Sequence, residues 1–253
     1  MRNIDVLRKL AEKGRVFTVE EASDASGIKG DSLKKLLYRM EKRGWIERIE
    51  KGKYMIIPLE AEKGRYTLNE FVIASVLVKP YAIAYWSALH HHGLTEQIPS
   101  TVFIQTTGRK KKRDVEVFGV RYRIVRIKED KFFGIGKMWS DDSEVLITDR
   151  EKTMVDCLDK PRYCGGIVEV AKALKKGSFN AEKLAEYAVK MDNSGVVRRL
   201  GYLCELFGVD VELPRINTKN YLVLDTTMPK KGKKSAKWRL ILNIEESELR
   251  GLE

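Results

Sequence analysis

The sequence predicts an α+β protein, with an N-terminal winged helix-turn-helix followed by a mixed α/β domain that has a small sheet and a helical C-terminal part. Three observations favour this fold class. Residues 1–60 contain three segments with apolar residues at helical spacing and then a short alternating hairpin. Alternating apolar runs typical of strands recur between residues 101 and 148. From residue 149 to residue 208 the apolar spacing is again helical.

The composition indicates a cytoplasmic protein with a polyanionic partner. The chain has 253 residues, a length typical of two domains, and a formal net charge of +12 that favours nucleic-acid binding. We place the two domains at residues 1–60 and 61–253. No segment reaches the ~18 uninterrupted apolar residues of a membrane span, and the N-terminus lacks the apolar core of a signal peptide. We therefore expect no membrane contact.

The N-terminal domain begins with three predicted helices. The first helix closes at Gly14, and Thr18 is expected to cap the second, because Glu21 three residues later completes a capping box. The third helix has a buried stripe at residues 33–40, spaced i, i+3, i+4, i+7, and either Asp31 or Ser32 is expected to cap it. Residues 45–57 then alternate on both sides of a glycine turn and predict a two-stranded wing.

This order of elements predicts a recognition helix that enters the DNA major groove. Arg39 can pair bidentately with guanine, and Ser32 and Tyr38 can bond bases or phosphates. Any solvated helix carries Lys and Arg, but solvation alone does not explain three helices followed by a hairpin. The predicted DNA-binding residues are Lys29, Ser32, Lys34, Lys35, Tyr38, Arg39, Lys42 and Arg43 on the helix side and Lys51 and Lys53 at the tip of the wing.

The second domain is predicted to have three parts: residues 61–147 with helices and a small sheet, 148–208 with helices, and 209–253 with two strands and a basic loop. The predicted elements of the first part are helices Tyr66–Val78, capped by Thr67, and Tyr81–His92, then strands Thr101–Thr107, Val115–Ile127 and Val145–Thr148. The later predicted helices are Asp149–Leu158, Gly165–Lys175, Asn180–Met191 and Ser194–Phe207, and Asn180 is expected to cap the third of them.

Two basic tracts lie in predicted loops of the second domain. A run of charges is usually a solvated loop, but Lys and Arg near phosphates would add affinity without sequence preference. Both tracts are therefore candidate nucleic-acid contacts. They comprise Arg109, Lys110, Lys111, Lys112 and Arg113 in the first tract and Lys230, Lys231, Lys233 and Lys234 in the second.

The histidines and cysteines do not predict a metal site. Residues 90–92 are consecutive histidines on a helix, where neighbouring side chains point about 100° apart and cannot hold one ion together. The chain has three cysteines, and none forms a C-x-x-C pair. A bond between Cys157 and Cys164 is one alternative, and buried free thiols are the other and the one we expect.

The carboxylates between residues 141 and 159 have two interpretations. They could form an enzyme site, but no base, nucleophile or phosphate-binding loop accompanies them. The structural interpretation has Asp149 as a helix cap and Asp156 paired with Arg198 or Arg199. We expect the structural roles, and therefore predict no catalytic residue, no cofactor and no metal.

Three separated motifs carry a family resemblance. Residues 85–99, Y-W-S-A-L-H-H-H-G-L-T-E-Q-I-P, resemble the signature S-A-L-x-x-H-G-L-T-x-Q-x-P of AbiEi-type antitoxins, from the abortive-infection AbiE toxin–antitoxin systems. Residues 147–166 resemble that family's T-D-x-E-x-T-x-x-D-C-L-D-x-P…C-G-G segment, and residues 197–203 resemble its R-R-L-G-Y-L helix. With the winged helix included, the resemblance extends to residue 208.

The resemblance implies a repressor and an antitoxin in one chain. The N-terminal domain would bind inverted repeats of double-stranded operator DNA, with a dimer on DNA as one arrangement, and would repress its own operon. The second domain would counteract a nucleotidyltransferase-like toxin in the type IV manner, without a stable complex. Two alternatives stay open, namely a nuclease or nucleotidyltransferase targeted by the winged helix, and a stand-alone regulator without a toxin.

Overall fold

The computed structural model describes residues 3–58, 61 and 68–250. Its N-terminal part is the predicted winged helix-turn-helix, with three helices and one antiparallel sheet in the order β1-β3-β2. The elements are α1 Asn3–Ala11, β1 Val16–Thr18, α2 Val19–Ser26, α3 Gly30–Lys42, β2 Ile46–Glu50 and β3 Lys53–Ile56.

The cap predicted for α2 is confirmed, and the cap predicted for α3 is not. The predicted capping box is present, since Thr18 Oγ1 accepts from Glu21 N at 3.2 Å and Glu21 Oε2 accepts from Thr18 N at 2.7 Å. The prediction that Asp31 or Ser32 caps α3 is wrong. The helix begins at Gly30 after Lys29, which makes no side-chain cap, and Asp31 pairs with a lysine one turn later.

The two faces of the wing pack against two different cores. Ile46 and Ile56 join the core of α1, α2 and α3. Ile49, Met55 and Ile57 join the core beneath the larger sheet that follows. Because strand residues alternate between faces, the wing connects the N-terminal helices to the rest of the chain through continuous apolar packing.

The second part of the chain is built on a six-stranded sheet in the order β6-β7-β5-β4-β9-β8. β5 pairs with β7, and β4 with β9, in parallel, and the other neighbours are antiparallel. The elements are α4 Glu70–Leu77, β4 Ala82–Ile83, α5 Tyr85–His91, β5 Thr101–Thr106, β6 Asp114–Val117, β7 Val120–Arg126, β8 Ile135–Ser140 and β9 Ser143–Thr148.

Three sequence predictions for this region need correction. α4 is capped by Asn69, whose Oδ1 accepts from Phe71 N at 2.8 Å, and the predicted cap Thr67 lies outside the described residues. The helix predicted over Tyr81–His92 is shorter, because its first turn is strand β4 at the centre of the sheet. The single strand predicted over Val115–Ile127 is a hairpin that turns at residues 118 and 119, both with positive φ.

The C-terminal part is helical and ends in a small sheet of order β10-β12-β11. Asp149 caps α6 and Asn180 caps α8, each through a side-chain oxygen, and both predicted caps are therefore confirmed. The two strands predicted after residue 209 are three strands and a short helix. The elements are α6 Arg150–Asp159, α7 Ile167–Lys176, α8 Ala181–Lys190, α9 Ser194–Phe207, β10 Leu222–Val223, β11 Lys233–Ser235, β12 Leu240–Leu242 and α10 Glu246–Arg250.

Candidate nucleic-acid interface

The outer face of α3 presents the residues predicted to read DNA. One side of the helix is buried through Leu33, Leu36, Leu37 and Met40. Ser32, Lys35 and Arg39 lie on the other side at i, i+3 and i+7, so they share one exposed face. All the predicted residues of this segment are exposed: Lys29, Ser32, Lys34, Lys35, Tyr38, Arg39, Lys42 and Arg43.

Some residues of this face have partners among the other described residues of the protein. Lys34 Nζ pairs with Asp31 at 2.9 Å, and this hydrogen bond lowers the pKa of the Asp31 carboxyl. Lys42 Nζ lies 5.6 Å from the centre of the Tyr38 ring. Lys35 and Arg39 have no ion pair or side-chain hydrogen bond within the described part of the chain. Their donors are therefore available to phosphates and base edges.

The tip of the wing places one predicted lysine outward and holds the other inside. Lys51 is exposed beside Gly52, whose carbonyl accepts from Val19 N at 2.9 Å and so ties the tip to α2. Lys53 Nζ instead donates to Glu50 Oε1 at 2.6 Å and to the Leu77 carbonyl at 2.5 Å. A DNA contact by Lys53 would have to displace these bonds, so Lys51 is the better placed of the two.

The first basic tract begins with an internal ion pair. Lys110 Nζ donates to Glu50 Oε1 at 2.6 Å and to the Leu77 carbonyl at 2.8 Å, the same two acceptors that Lys53 uses. Burial and the charge of Lys53 lower the pKa of Lys110, against the opposing effect of Glu50. The exposed residues of this tract are Arg109, Lys111, Lys112 and Arg113.

The second basic tract belongs to the C-terminal sheet. Lys230, Lys231 and Lys233 are exposed, and Lys234 Nζ lies 5.2 Å from the centre of the Tyr221 ring. Asn243 Nδ2 donates to the Pro229 carbonyl at 3.1 Å and so holds the start of the tract against the end of β12. This surface is displayed by the C-terminal part and not by the winged helix.

Four basic residues near Arg113 were missed by sequence reasoning. Arg126, at the end of β7, and Lys128 line a cleft of about 480 Å³ with Arg113, Lys131 and Lys160, which we name the Arg113 cleft. Arg126 falls at an even position of β7, where its neighbours Tyr122 and Ile124 are apolar. A basic residue at a position where the alternation predicts an apolar one was the signal that could have identified Arg126.

The carboxylates of α6 have structural partners. Asp149 Oδ1 accepts from Lys152 N at 2.8 Å, and Glu151 Oε1 accepts from Asn180 N at 3.0 Å. Asp156 is fully buried against Lys152 Nζ, and burial raises the pKa of Asp156. Each of these carboxylates therefore has a partner within the fold.

The prediction that Asp156 of α6 pairs with Arg198 or Arg199 of α9 is wrong. Arg199 donates to backbone carbonyls instead, reaching Leu158 at 2.9 Å and Leu224 at 2.9 Å. Arg198 Nη1 donates to the Asn220 carbonyl at 3.0 Å. The arginines therefore hold β10, with the residues on either side of it, and the end of α6 to α9, because a guanidinium can satisfy several acceptors at once.

Two of the histidines and the three cysteines have their surroundings within the fold. His92 Nε2 lies 2.7 Å from the Thr148 carbonyl, and His91 packs edge-on against Phe71. Burial lowers the pKa of both histidines. Cys157, Cys164 and Cys204 are buried free thiols. No group of three metal-ligating side chains occurs among the residues that the structure describes.

Comparison with known proteins assigns the N-terminal unit. Residues 5–57 match the family model described as "Transcriptional regulator, AbiEi antitoxin". The winged helix-turn-helix is therefore similar to the AbiEi family, and we call it the AbiEi-type domain. The match covers α1 to the end of the wing, so it includes the exposed face of α3. The family description is that of a transcriptional regulator, the same family that the motifs beyond residue 57 resemble.

A solved structure supports the architecture beyond the AbiEi-type domain. The crystal structure of the RV2827C protein from Mycobacterium tuberculosis is similar over 98% of this chain and 94% of that chain, with a TM-score of 0.63 and 15% identity. At this identity the likeness concerns the fold. A search of curated proteins finds no match. In the described part of the chain, no helix is both long and apolar enough to cross a membrane.

Proposed function

We propose that this protein is a sequence-specific transcriptional repressor that places α3 of its AbiEi-type domain in the major groove of operator inverted repeats. The observation that carries the proposal is the exposed face of α3. Ser32, Lys35 and Arg39 lie together there, and the two cations have no internal partner within the described residues. Lys51 would contact the flanking backbone, since a wing lies beside the groove that its helix occupies.

A binding titration tests the repressor proposal. The probe is the duplex upstream of the chain's own gene, compared with a random duplex of equal length in a gel-shift experiment. Arg39→Ala should weaken binding to the upstream duplex and leave random-duplex binding nearly unchanged. Arg215→Ala is the matched control, because Arg215 is also exposed and lies outside the AbiEi-type domain. Equal affinity of the wild type for both duplexes would overturn the proposal.

The second part of the proposal concerns residues 61–253, on the strength of the family resemblance. We propose that they counteract a nucleotidyltransferase-like toxin without forming a stable complex. The test is growth of cells that express a toxin encoded next to this gene, with and without the full chain. Rescue by an Arg39→Ala variant would separate neutralisation from DNA binding, whereas absence of rescue by the wild type would favour a stand-alone regulator.

We further propose that the protein is not an enzyme. The buried pairing of Asp156 with Lys152 supports this, since a carboxylate sealed in the core cannot reach a substrate. Purified protein incubated with magnesium and labelled DNA, RNA or nucleotides should give no product. A magnesium-dependent product would restore the alternative of a nucleic-acid-processing enzyme.

A further inference from the structure

The strand β8 forms one edge of the six-stranded sheet and is less protected than the opposite edge, β6. The strand β6 has four residues, and its exposed side chains are the carboxylates Asp114 and Glu116. The strand β8 has six residues, with no proline and no bulge. Proteins commonly protect sheet edges with short strands, charges or bulges, because an open edge can pair with another strand. In β8 the one charged residue is Lys137, and Glu144 compensates its charge at 2.9 Å.

The backbone N–H and C=O groups of Lys137 and Trp139 point toward the open side of β8. Residue pairs of an antiparallel ladder alternate between bonded and non-bonded, and the two-residue turn at 141–142 sets the phase that leaves both residues non-bonded to β9. Leu146, which faces Lys137, agrees with this phase, because its N–H donates to the Tyr81 hydroxyl at 3.1 Å on the side away from β8. None of the other described residues hydrogen-bonds these outward groups. The edge can therefore accept another strand.

The side chains of this edge favour a protein partner. Trp139 is 74% exposed on one face of β8. Met138 lies on the other face, where it packs partly buried against the core beneath the sheet. Tryptophan is the kind of residue that carries binding energy at the centre of protein–protein interfaces. An open strand edge with an exposed tryptophan therefore indicates a surface that another chain covers.

The sequence of β8 is complementary to a second copy of itself. In an antiparallel pair of two β8 strands, Lys137 and Trp139 can face each other in three ways. Lys137 opposite Lys137 would bring like charges together, which destabilises a cross-strand pair. Trp139 opposite Trp139 would shorten the overlap to residues 138–140. Lys137 opposite Trp139 joins residues 136–140, and the symmetry repeats the pair, so two ammonium groups can approach two indole rings with favourable cation–π attraction.

We propose that β8 is a dimerisation edge, where two copies of this chain pair antiparallel, with Lys137 opposite Trp139 of the second copy. The two six-stranded sheets then form one continuous sheet. A pairing of five residues is a small interface, and small interfaces are typical of reversible association. The inference goes beyond the proposed function and needs no DNA. Together with the proposed function, it would supply two copies of α3 related by the two-fold symmetry of an inverted repeat.

The test measures the mass of the full chain by sedimentation at increasing protein concentration, without DNA. The wild type should rise from the mass of one chain toward that of two. Lys137→Pro removes an outward N–H and no hydrogen bond to β9, so the variant should fold and stay a monomer. Glu116→Pro is the matched control, because Glu116 holds the equivalent outward position on β6, and it should dimerise like the wild type. A wild type that stays a monomer throughout, or equal dimerisation of both variants, would overturn the inference.

Cysteine crosslinking tests the register and does not depend on the folding of a proline variant. Met138→Cys places a thiol opposite its own copy, at a non-bonded pair, where facing side chains lie closest and a disulfide can form. Oxidation with diamide should give a covalent dimer on a denaturing gel, whereas Trp139→Cys should give little. The three native cysteines are buried, and the wild type should not crosslink. A Met138→Cys chain that gives no covalent dimer would overturn the proposed pairing, as would crosslinking through residue 139 instead.

Discussion

The ammonium group of Lys110 lies 2.6 Å from a carboxylate oxygen of Glu50, and this ion pair joins the larger sheet to the wing. Lys53 reaches the same oxygen at 2.6 Å, and both ammonium groups also donate to the Leu77 carbonyl at the end of α4. Glu50 therefore holds two like charges together where the AbiEi-type domain meets the rest of the chain.

Removing the charge of Glu50 should destabilise this junction. Glu50→Gln should lower the free energy of unfolding by about 1.5–3 kcal/mol, the range for hydrogen bonds to charged groups. The physical reason is that Lys53 and Lys110 stay close together without a counter-charge. Denaturant unfolding at pH 7 measures the change. Glu116→Gln, an exposed change on β6, is the control and should have almost no effect.

The same pair predicts a pH dependence. Burial opposes ionisation of Glu50, but the hydrogen bonds from Lys110 and Lys53 outweigh it and lower its pKa below the ordinary value of 4.5. A lowered folded-state pKa contributes stability above the unfolded-state pKa, and that stability is lost as the pH falls through the folded-state pKa. The stability gap between wild type and Glu50→Gln should therefore shrink below pH 4.5. A gap that is constant from neutral to acid pH would contradict this assignment.

Gly201 on α9 is required by the close approach of Trp238. A Cβ at Gly201 would lie 2.1 Å from carbons of the Trp238 ring, whose Nε1 donates to Glu205 at 2.6 Å. Gly201→Ala should therefore destabilise the protein by about 1–3 kcal/mol, because the ring must move out of its contact. Thermal unfolding measures this loss. Gly136→Ala is the control, since no atom lies within 4 Å of its added Cβ. Equal melting temperatures for both variants would show that the Trp238 ring moves without cost.

Asp225 acts as a cap for α7 from a distant part of the chain. Its Oδ2 accepts from Ile167 N at 2.6 Å, and its Oδ1 accepts from Thr227 N at 2.6 Å. Asp225→Ala should cost about 0.5–2 kcal/mol, the range for a lost N-cap. Asp225→Asn, which keeps an acceptor oxygen, should cost less. Chemical denaturation measures both variants, and equal losses would mean that the carboxylate charge matters more than the cap.

The recognition helix and the wing should respond differently to alanine. Arg39→Ala should cost about 1–3 kcal/mol of operator binding and relax the preference at one base position if the guanidinium contacts a base. Lys51→Ala should weaken all duplexes alike and reduce the salt slope by about 1, as expected for one phosphate contact. Binding titrations on operator variants distinguish the two. An unchanged affinity of Arg39→Ala for the operator would exclude the groove assignment for α3.

Some errors of the sequence interpretation had a signal that was present but overlooked. Val117 pairs with Val120, so the two residues lie on the same face of the hairpin. A continuous strand would place them on opposite faces, since residues alternate. The apolar phase changes at Phe118 and Gly119, and a glycine at such a change indicates a two-residue turn. The predicted strand Val115–Ile127 should have been divided there.

The sequence by itself determined the winged helix-turn-helix, the exposed face of α3 and the caps at Thr18, Asp149 and Asn180. These features depend on spacing within one or two helical turns, where apolar periodicity and capping chemistry act between near neighbours. They can be recognised without knowing which distant segments of the chain pack against them.

Only the tertiary structure decided which basic residues remain available to a ligand. Lys110 and Glu50 are sixty positions apart, and Arg113 meets Lys160 in one cleft only because the sheet packs beside the end of α6. A charge run looks the same in sequence whether its lysines are internal ion-pair partners or solvated. The difference depends on long-range packing, because burial sets whether an ammonium group must find a counter-charge within the fold.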